Sequence, residues 1–288
     1  MLLYTHIPFC NSKCGYCTFN SYVTSGDNGI FESYFKALND EILLRGDILK
    51  NKNPRTLYIG GGTPSLIDAI YYEKLFNSLS PYLQLCQEMS IEANPESLNK
   101  EWLKKIKNLG FNRLSIGVQS FDDKKLKLLQ REHTIYDVEK CVDMAKECGI
   151  ENISIDLIYG TIYDTSPFLD KEINRALNLD VAHISAYSLT LEQGTKLEEK
   201  IRDDDENSAR FLSKKLQENG FIWYEVSNFG KLKSLHNLGY WNSEEYIGLG
   251  AGAVGTIGLE RYTNSKHPDD YINGNKKVDI EYLDNEKM

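Results

Sequence analysis

Short apolar runs recur along the chain with amphipathic stretches between them. Strands are expected at residues 2–6, 56–60, 90–93, 113–118, 152–157 and 183–189. Between them, residues 31–49, 71–83, 98–109, 138–148 and 168–177 space apolar side chains three and four apart, as amphipathic helices do. Strand and helix in alternation predict an α/β fold on a parallel sheet, either doubly wound or a partial (β/α)6 barrel. The barrel is the expectation, because polar residues stand at the C-terminal ends of the strands: Gly61 to Thr63, Glu92, Gln119 and Asp156. In a barrel those ends converge on one mouth.

After Thr195 the pattern changes. The acidic run Arg202 to Glu206 reads as the solvated start of a helix over 208–218, where carboxylates suit the helix dipole, and strand-like FIWYEVSNF follows. The expected division is a barrel domain over 1–200 and a smaller mixed C-terminal extension over 201–288, the start of a further domain. No repeat of fixed period and no low-complexity segment is present.

Composition narrows the class without naming it. At 288 residues, 41% hydrophobic and 26% charged, the chain is an ordinary globular protein. A net charge of -9 argues against broad nucleic-acid binding, which needs a basic field. The N-terminus MLLYTHIPFC has no basic lead and too short an apolar run for an export signal, and no stretch is long enough to span a bilayer. Peripheral membrane contact stays open. A reducing, cytoplasmic setting is therefore expected, where clustered thiols bind metal more often than they pair.

Three of the six cysteines are clustered, as Cys10-Asn-Ser-Lys-Cys14-Gly-Tyr-Cys17, directly after the first strand. Such a loop can wrap three thiolates round a [4Fe-4S] cube and leave one iron open to another ligand. The alternatives are three incidental cysteines in a loop, or a tetrahedral zinc site with a fourth ligand such as His6. Cys86, Cys141 and Cys148 lie on helical faces and read as small buried hydrophobes. Gly60-Gly61-Gly62-Thr63-Pro64 closes the second strand, and its glycines allow close backbone approach to a ligand. Glu92 ends an apolar strand and needs a partner such as a hydroxyl or an ammonium. Residues 250–255 formally fit GxGxxG, but strand-like TIGLERYT follows where a dinucleotide site needs a helix, so a close-packed turn is expected.

CxxxCxxC after a first strand, with aromatic Tyr16 before the third cysteine, resembles the radical-SAM superfamily signature. YTHIPFCNSKCGYCTFNS, YIGGGTPSL, EANPESL, LSIGVQSFDD, QREHT and SIDLIYG, in this order, resemble the group of oxygen-independent coproporphyrinogen III oxidase and the HemW-type haem chaperones, over nearly the whole chain. The resemblance implies S-adenosylmethionine (SAM) on the open iron, with Tyr4, Tyr16, Gly61, Gly62, Thr63, Glu92, Gln119, Arg131 and Asp156 around it. It gives no catalytic residue.

Two features favour the chaperone branch. Phe19 stands where the oxidase pattern has a further cysteine, and His236 to Trp241 matches HNxxYW, which resembles the chaperone hallmark. An imidazole is a good axial ligand for haem iron, so His236 is the expected contact to haem carried as cargo; the alternative is a histidine that fills a structural turn. The resemblance further implies a haem-accepting apo-protein, an electron donor, and a C-terminal domain beyond residue 288. The alternative function is oxidative decarboxylation of coproporphyrinogen III. One local departure is Thr161-Ile162, where relatives usually show a proline.

Overall fold

The structure, a computed structural model, describes residues 1–24, 28–190, 197, 205–274 and 279–283. The expected domain boundary at residue 200 and residues 202–204 of the acidic run lie outside the described residues.

Chain order begins β1 (Leu2–Ile7), β2 (Phe9–Cys10), β3 (Tyr22–Val23), α1 (Asn28–Leu44), α2 (Gly46–Lys52), β4 (Thr56–Gly61), α3 (Ala69–Leu79), β5 (Glu88–Ala93) and α4 (Lys100–Asn108). It continues with β6 (Arg113–Gln119), α5 (Asp123–Leu128), α6 (Ile135–Glu147), β7 (Asn152–Tyr159), α7 (Ser166–Asn178) and β8 (His183–Ser188). Then come α8 (Asp205–Glu218), β9 (Ile222–Trp223), β10 (Asn228–Gly230), α9 (Leu235–Trp241), β11 (Tyr246–Leu249), β12 (Val254–Ile257), β13 (Glu260–Thr263), α10 (Pro268–Ile272) and β14 (Asp279–Tyr282).

The expected six strands form a parallel run, β1-β4-β5-β6-β7-β8, each connection crossing over by helix. The sheet is open, a partial barrel, because β1 and β8 do not pair. Instead β11 adds parallel to β1 and leads to antiparallel β12, β13 and β14, while β10 and β9 extend the other edge antiparallel to β8. Elements after residue 205 thus continue the same sheet on both sides.

Residues alternate along the parallel strands, and the alternation decides what each face does. Leu57, Ile59, Ile91, Leu114, Ile116, Ile153, Ile155 and Ile184 are buried in one cluster with Leu38, Leu75, Leu103, Ile106, Val138, Val142 and Ile173 of the helices. Truncating such a side chain to Ala costs about 2–5 kcal/mol. The intervening positions, Tyr4, Tyr58, Glu92, Ser115, Asp156 and Ser185, line the concave face.

Local chemistry sets the helix ends. Asp68, Asn99, Asp122 and Ser234 each accept a first-turn amide, and Thr134 with Asp137 forms a reciprocal capping box. The single helix expected over 31–49 is two: a Cβ on Gly46 would stand 2.8 Å from the Tyr82 hydroxyl, and the chain turns there. The helix expected to reach residue 83 stops at Leu79, where Pro81 imposes a 3-10 turn. Gly250 and Gly252, both at positive φ, form the turn between β11 and β12, and no helix follows. At the 161–162 departure, the Thr161 amide and hydroxyl both donate to Asp164, each at 2.7 Å. A proline at residue 161 could not supply that amide.

Candidate functional site

The concave face encloses a cavity of about 550 Å³ that reaches from the cysteine loop at the C-terminal strand ends to α9 at the other end. All thirteen residues singled out from the sequence line it: Cys10, Cys14, Cys17, Tyr4, Tyr16, Gly61, Gly62, Thr63, Glu92, Gln119, Arg131, Asp156 and His236.

Cys10 ends β2, which pairs in parallel with β3, so the intervening loop is closed at its base. Within it the Cys17 amide donates to the Cys14 carbonyl at 3.1 Å. The glycine loop docks on the same segment, with the Gly62 amide donating to the Ile7 carbonyl and the Thr63 amide to the Phe9 carbonyl, both at 2.8 Å. A Cβ on Gly62 would lie 2.5 Å from the Phe9 oxygen and 2.9 Å from Cys10 Sγ. This glycine is therefore needed for the approach to the cysteine loop itself.

His6 has its Nε2 2.8 Å from the Asn20 carbonyl and its Nδ1 2.9 Å from the Tyr4 hydroxyl. A carbonyl only accepts, so Nε2 carries the proton and Nδ1 accepts from Tyr4. Burial lowers the His6 pKa. Both nitrogens are engaged, which leaves no lone pair for a zinc ion.

Of the carboxylates that line the cavity, Glu92 and Asp156 have raised pKa values. Glu92 accepts from the Tyr58 hydroxyl at 2.8 Å and the Gly61 amide at 3.0 Å; burial, opposed by these bonds, pushes its pKa up to about 7. Burial likewise pushes Asp156 up to about 6, against the pull of Ser185, Arg113 and Ser115. Each would be better satisfied by a hydroxyl or a cation than by its present surroundings. Gln119 holds a left-handed backbone, φ 65°, at the end of β6, a strained conformation of the kind that clusters at ligand sites. Arg131 donates to Cys14 Sγ at 3.4 Å, to Asn94 Oδ1 at 2.8 Å and to the Gly117 carbonyl at 3.0 Å. Tyr16 packs on Leu129, Ile158 and Leu189.

His236 sits apart from this group. It is 2% exposed, with Nδ1 2.8 Å from Thr56 Oγ1, Nε2 3.2 Å from the Tyr240 hydroxyl and its ring 5.1 Å from that of Tyr58. Burial, with the nearby Arg55 charge, lowers its pKa to about 3. Helix α9 closes the floor of the cavity: Glu88 accepts from Ser234 Oγ and from the amides of Leu235 and His236, and a Cβ on Gly239 would strike Leu2 at 2.4 Å. Trp241, by contrast, is 56% exposed.

The radical SAM superfamily pattern matches residues 4–170, and heme chaperone HemW of Bacillus subtilis (strain 168) is 38% identical over 277 residues, 91% of this chain and 72% of that protein. This chain belongs to the HemW family of radical-SAM proteins. HemW of Escherichia coli (strain K12) is 32% identical over 292 residues, covering 94% of this chain and 75% of its own. Among solved structures, coproporphyrinogen III oxidase HemN from Escherichia coli superposes with a TM-score of 0.83 over 98% of this chain and 72% of that one. At 24% identity this likeness concerns the fold.

Membership in the HemW family brings a [4Fe-4S] cluster and SAM, and the donor set fits both. Among the described residues no three of His, Cys, Asp and Glu converge on a single ion. A cube binds each thiolate through a different iron, so its ligands need not converge. The raised carboxyls of Glu92 and Asp156 offer acceptors for the hydroxyls and ammonium of a nucleoside amino acid. When bound, cluster and SAM would supply one-electron chemistry at the mouth; Cys10, Cys14 and Cys17 would hold the cluster, Glu92 and Asp156 would orient the nucleoside, and Thr63 and Arg131 donate toward Cys10 and Cys14 sulfur.

Sequence reasoning missed Asn94, Tyr58 and Gly117 in this wall. Alternation would have found Tyr58, which stands between outward Leu57 and Ile59, and Gly117, between Ile116 and Val118. Asn94 follows the strand end in EANPESL, a motif read only for its glutamate.

Proposed function

We propose that this chain is a haem chaperone: it binds haem and hands it to acceptor proteins, with Cys10, Cys14 and Cys17 holding the cluster and SAM lying across the strand ends. The observation that carries the reading is identity of 32–38% to proteins named heme chaperone HemW along more than nine-tenths of the chain. Phe19, 68% exposed at the cavity rim, supports it, since the oxidase pattern puts a cysteine there. Residues 1–200 would carry cluster and SAM, and 201–288 the HNxxYW helix.

The haem contact assigned to His236 carries a condition. Iron reaches Nε2 only if the Tyr240 hydroxyl, 3.2 Å away, gives way. An electron donor for the cluster, an apo-protein acceptor and a cytoplasmic setting belong to the same reading. No described helix is long and apolar enough to cross a membrane. The test is anaerobic haem titration of the cluster-loaded chain, followed by transfer to an apo-acceptor. A haem-dependent Soret band with transfer supports the chaperone; conversion of coproporphyrinogen III without haem binding supports the oxidase.

A further inference from the structure

Asn94, the residue just beyond β5, sits between the two sides of the cysteine loop. Its backbone is fixed at both ends, the amide donating to Ser65 Oγ and the carbonyl accepting from Ser97 Oγ, each at 3.0 Å. Its side chain bridges Arg131 at 2.8 Å and Thr63 Oγ1 at 3.2 Å. Room for that amide depends on Gly117, where a Cβ would stand 3.0 Å from Oδ1.

Chemistry settles the direction of every bond in this chain. A guanidinium only donates, so the oxygen of Asn94 must face Arg131 and its NH2 must face Thr63. The Thr63 oxygen thereby accepts a hydrogen, and its own proton turns to the remaining acceptor, Cys10 Sγ at 3.5 Å. At the other end Arg131 donates to Cys14 Sγ at 3.4 Å. One amide thus orders donors onto two of the three thiolates.

We propose that Asn94 is a positioning residue that raises the reduction potential of the cluster by aiming Thr63 at Cys10 and Arg131 at Cys14. Reduction puts extra negative charge on the sulfurs, and hydrogen bonds to them favour the reduced form. The inference rests on the reading that these three cysteines hold the cluster.

The two can fail separately in one experiment. The full chain is reconstituted anaerobically as wild type, Asn94→Asp, Asn94→Leu, Thr63→Val and Thr63→Ser. Iron and sulfide content tests the cluster reading; a wild type without iron overturns that. The potential from an EPR-monitored titration, and the exchangeable deuteron couplings of the reduced cluster in D2O, test Asn94. Thr63→Val should lose one deuteron coupling and shift the potential down, and Thr63→Ser should retain the wild-type couplings. Asn94→Asp keeps the size and the tie to Arg131 but only accepts, so it draws the Thr63 proton away from Cys10. It should lose the same coupling and lower the potential, although Thr63 is intact. Its added charge lowers the potential by itself, so the coupling decides. A wild-type coupling in cluster-loaded Asn94→Asp and Asn94→Leu overturns the proposal. Should neither variant assemble a cluster, identical couplings in wild type and Thr63→Val overturn it equally.

Discussion

At the scale of single residues the cysteine loop makes the firmest demands. Replacing Cys10, Cys14 or Cys17 by Ala should each abolish the brown cluster absorption, whereas Cys86→Ala should leave it. Cys86 donates to the Glu88 carbonyl at 3.3 Å, away from the cavity, so anaerobic absorbance with iron content separates the two classes. A full cluster in all three loop variants would refute the ligand set. Gly62→Ala should also lower cluster yield, because its Cβ would press on the Phe9 oxygen and Cys10 Sγ; overpacking of this kind costs about 1–3 kcal/mol. Glu92 gives a pH test. Its carboxyl holds a proton more tightly in the folded chain, about 7 against an ordinary 4.5, so its contribution to stability falls as pH rises between those values. Between pH 5 and pH 8, wild type should therefore lose more melting temperature than Glu92→Gln. Equal losses would mean that Glu92 titrates as an exposed acid. The glycines, cysteines and carboxylates were legible in the sequence because motif and strand-end position coincide in them. Asn94 was not, because its role depends on which partner faces each end of its amide.

At the scale of elements, the six parallel strands were legible because their outward residues are aliphatic and their inward ones polar. Strand β11 was hidden in a glycine-rich run, 246–259, whose close contacts are tertiary: a Cβ on Gly248 would meet the Val254 backbone. Helix α5 was too short to show a period, and its N-terminus rests on Asp122. It carries Lys125, fully buried against Asp164 at 2.5 Å, with Glu172 at 3.8 Å. Asp164→Ala should destabilise the chain by about 3–5 kcal/mol in denaturant unfolding, since it leaves the buried ammonium to the more distant Glu172 and takes away the acceptor of the Thr161 amide and hydroxyl. A loss below 1 kcal/mol, the range of roughly exposed pairs, would contradict this packing. For α9, Tyr240→Phe releases His236 Nε2 and should strengthen haem ligation, while His236→Ala should weaken it with cluster content unchanged. If both variants bind haem like wild type, the axial ligand lies elsewhere.

At the scale of the molecule, an open parallel sheet gathers the strand ends on one side and lets α9 close the other. The cysteine loop and the HNxxYW helix therefore face each other through one cavity, linked by Tyr58, whose hydroxyl bonds Glu92 and whose ring lies against His236. Sequence order could not reveal this, because residues 17 and 236 are brought to one cavity only by the sheet. On the proposed function, this chain carries haem alongside its cluster. Anaerobic titration of haem into the iron-and-sulfide-reconstituted full chain tests it most directly, read at once in the Soret region and for porphyrinogen product. The expected result is a saturable haem-dependent Soret band, altered by His236→Ala, and no protoporphyrinogen. Protoporphyrinogen formed from coproporphyrinogen III, with no saturable haem band, would contradict it.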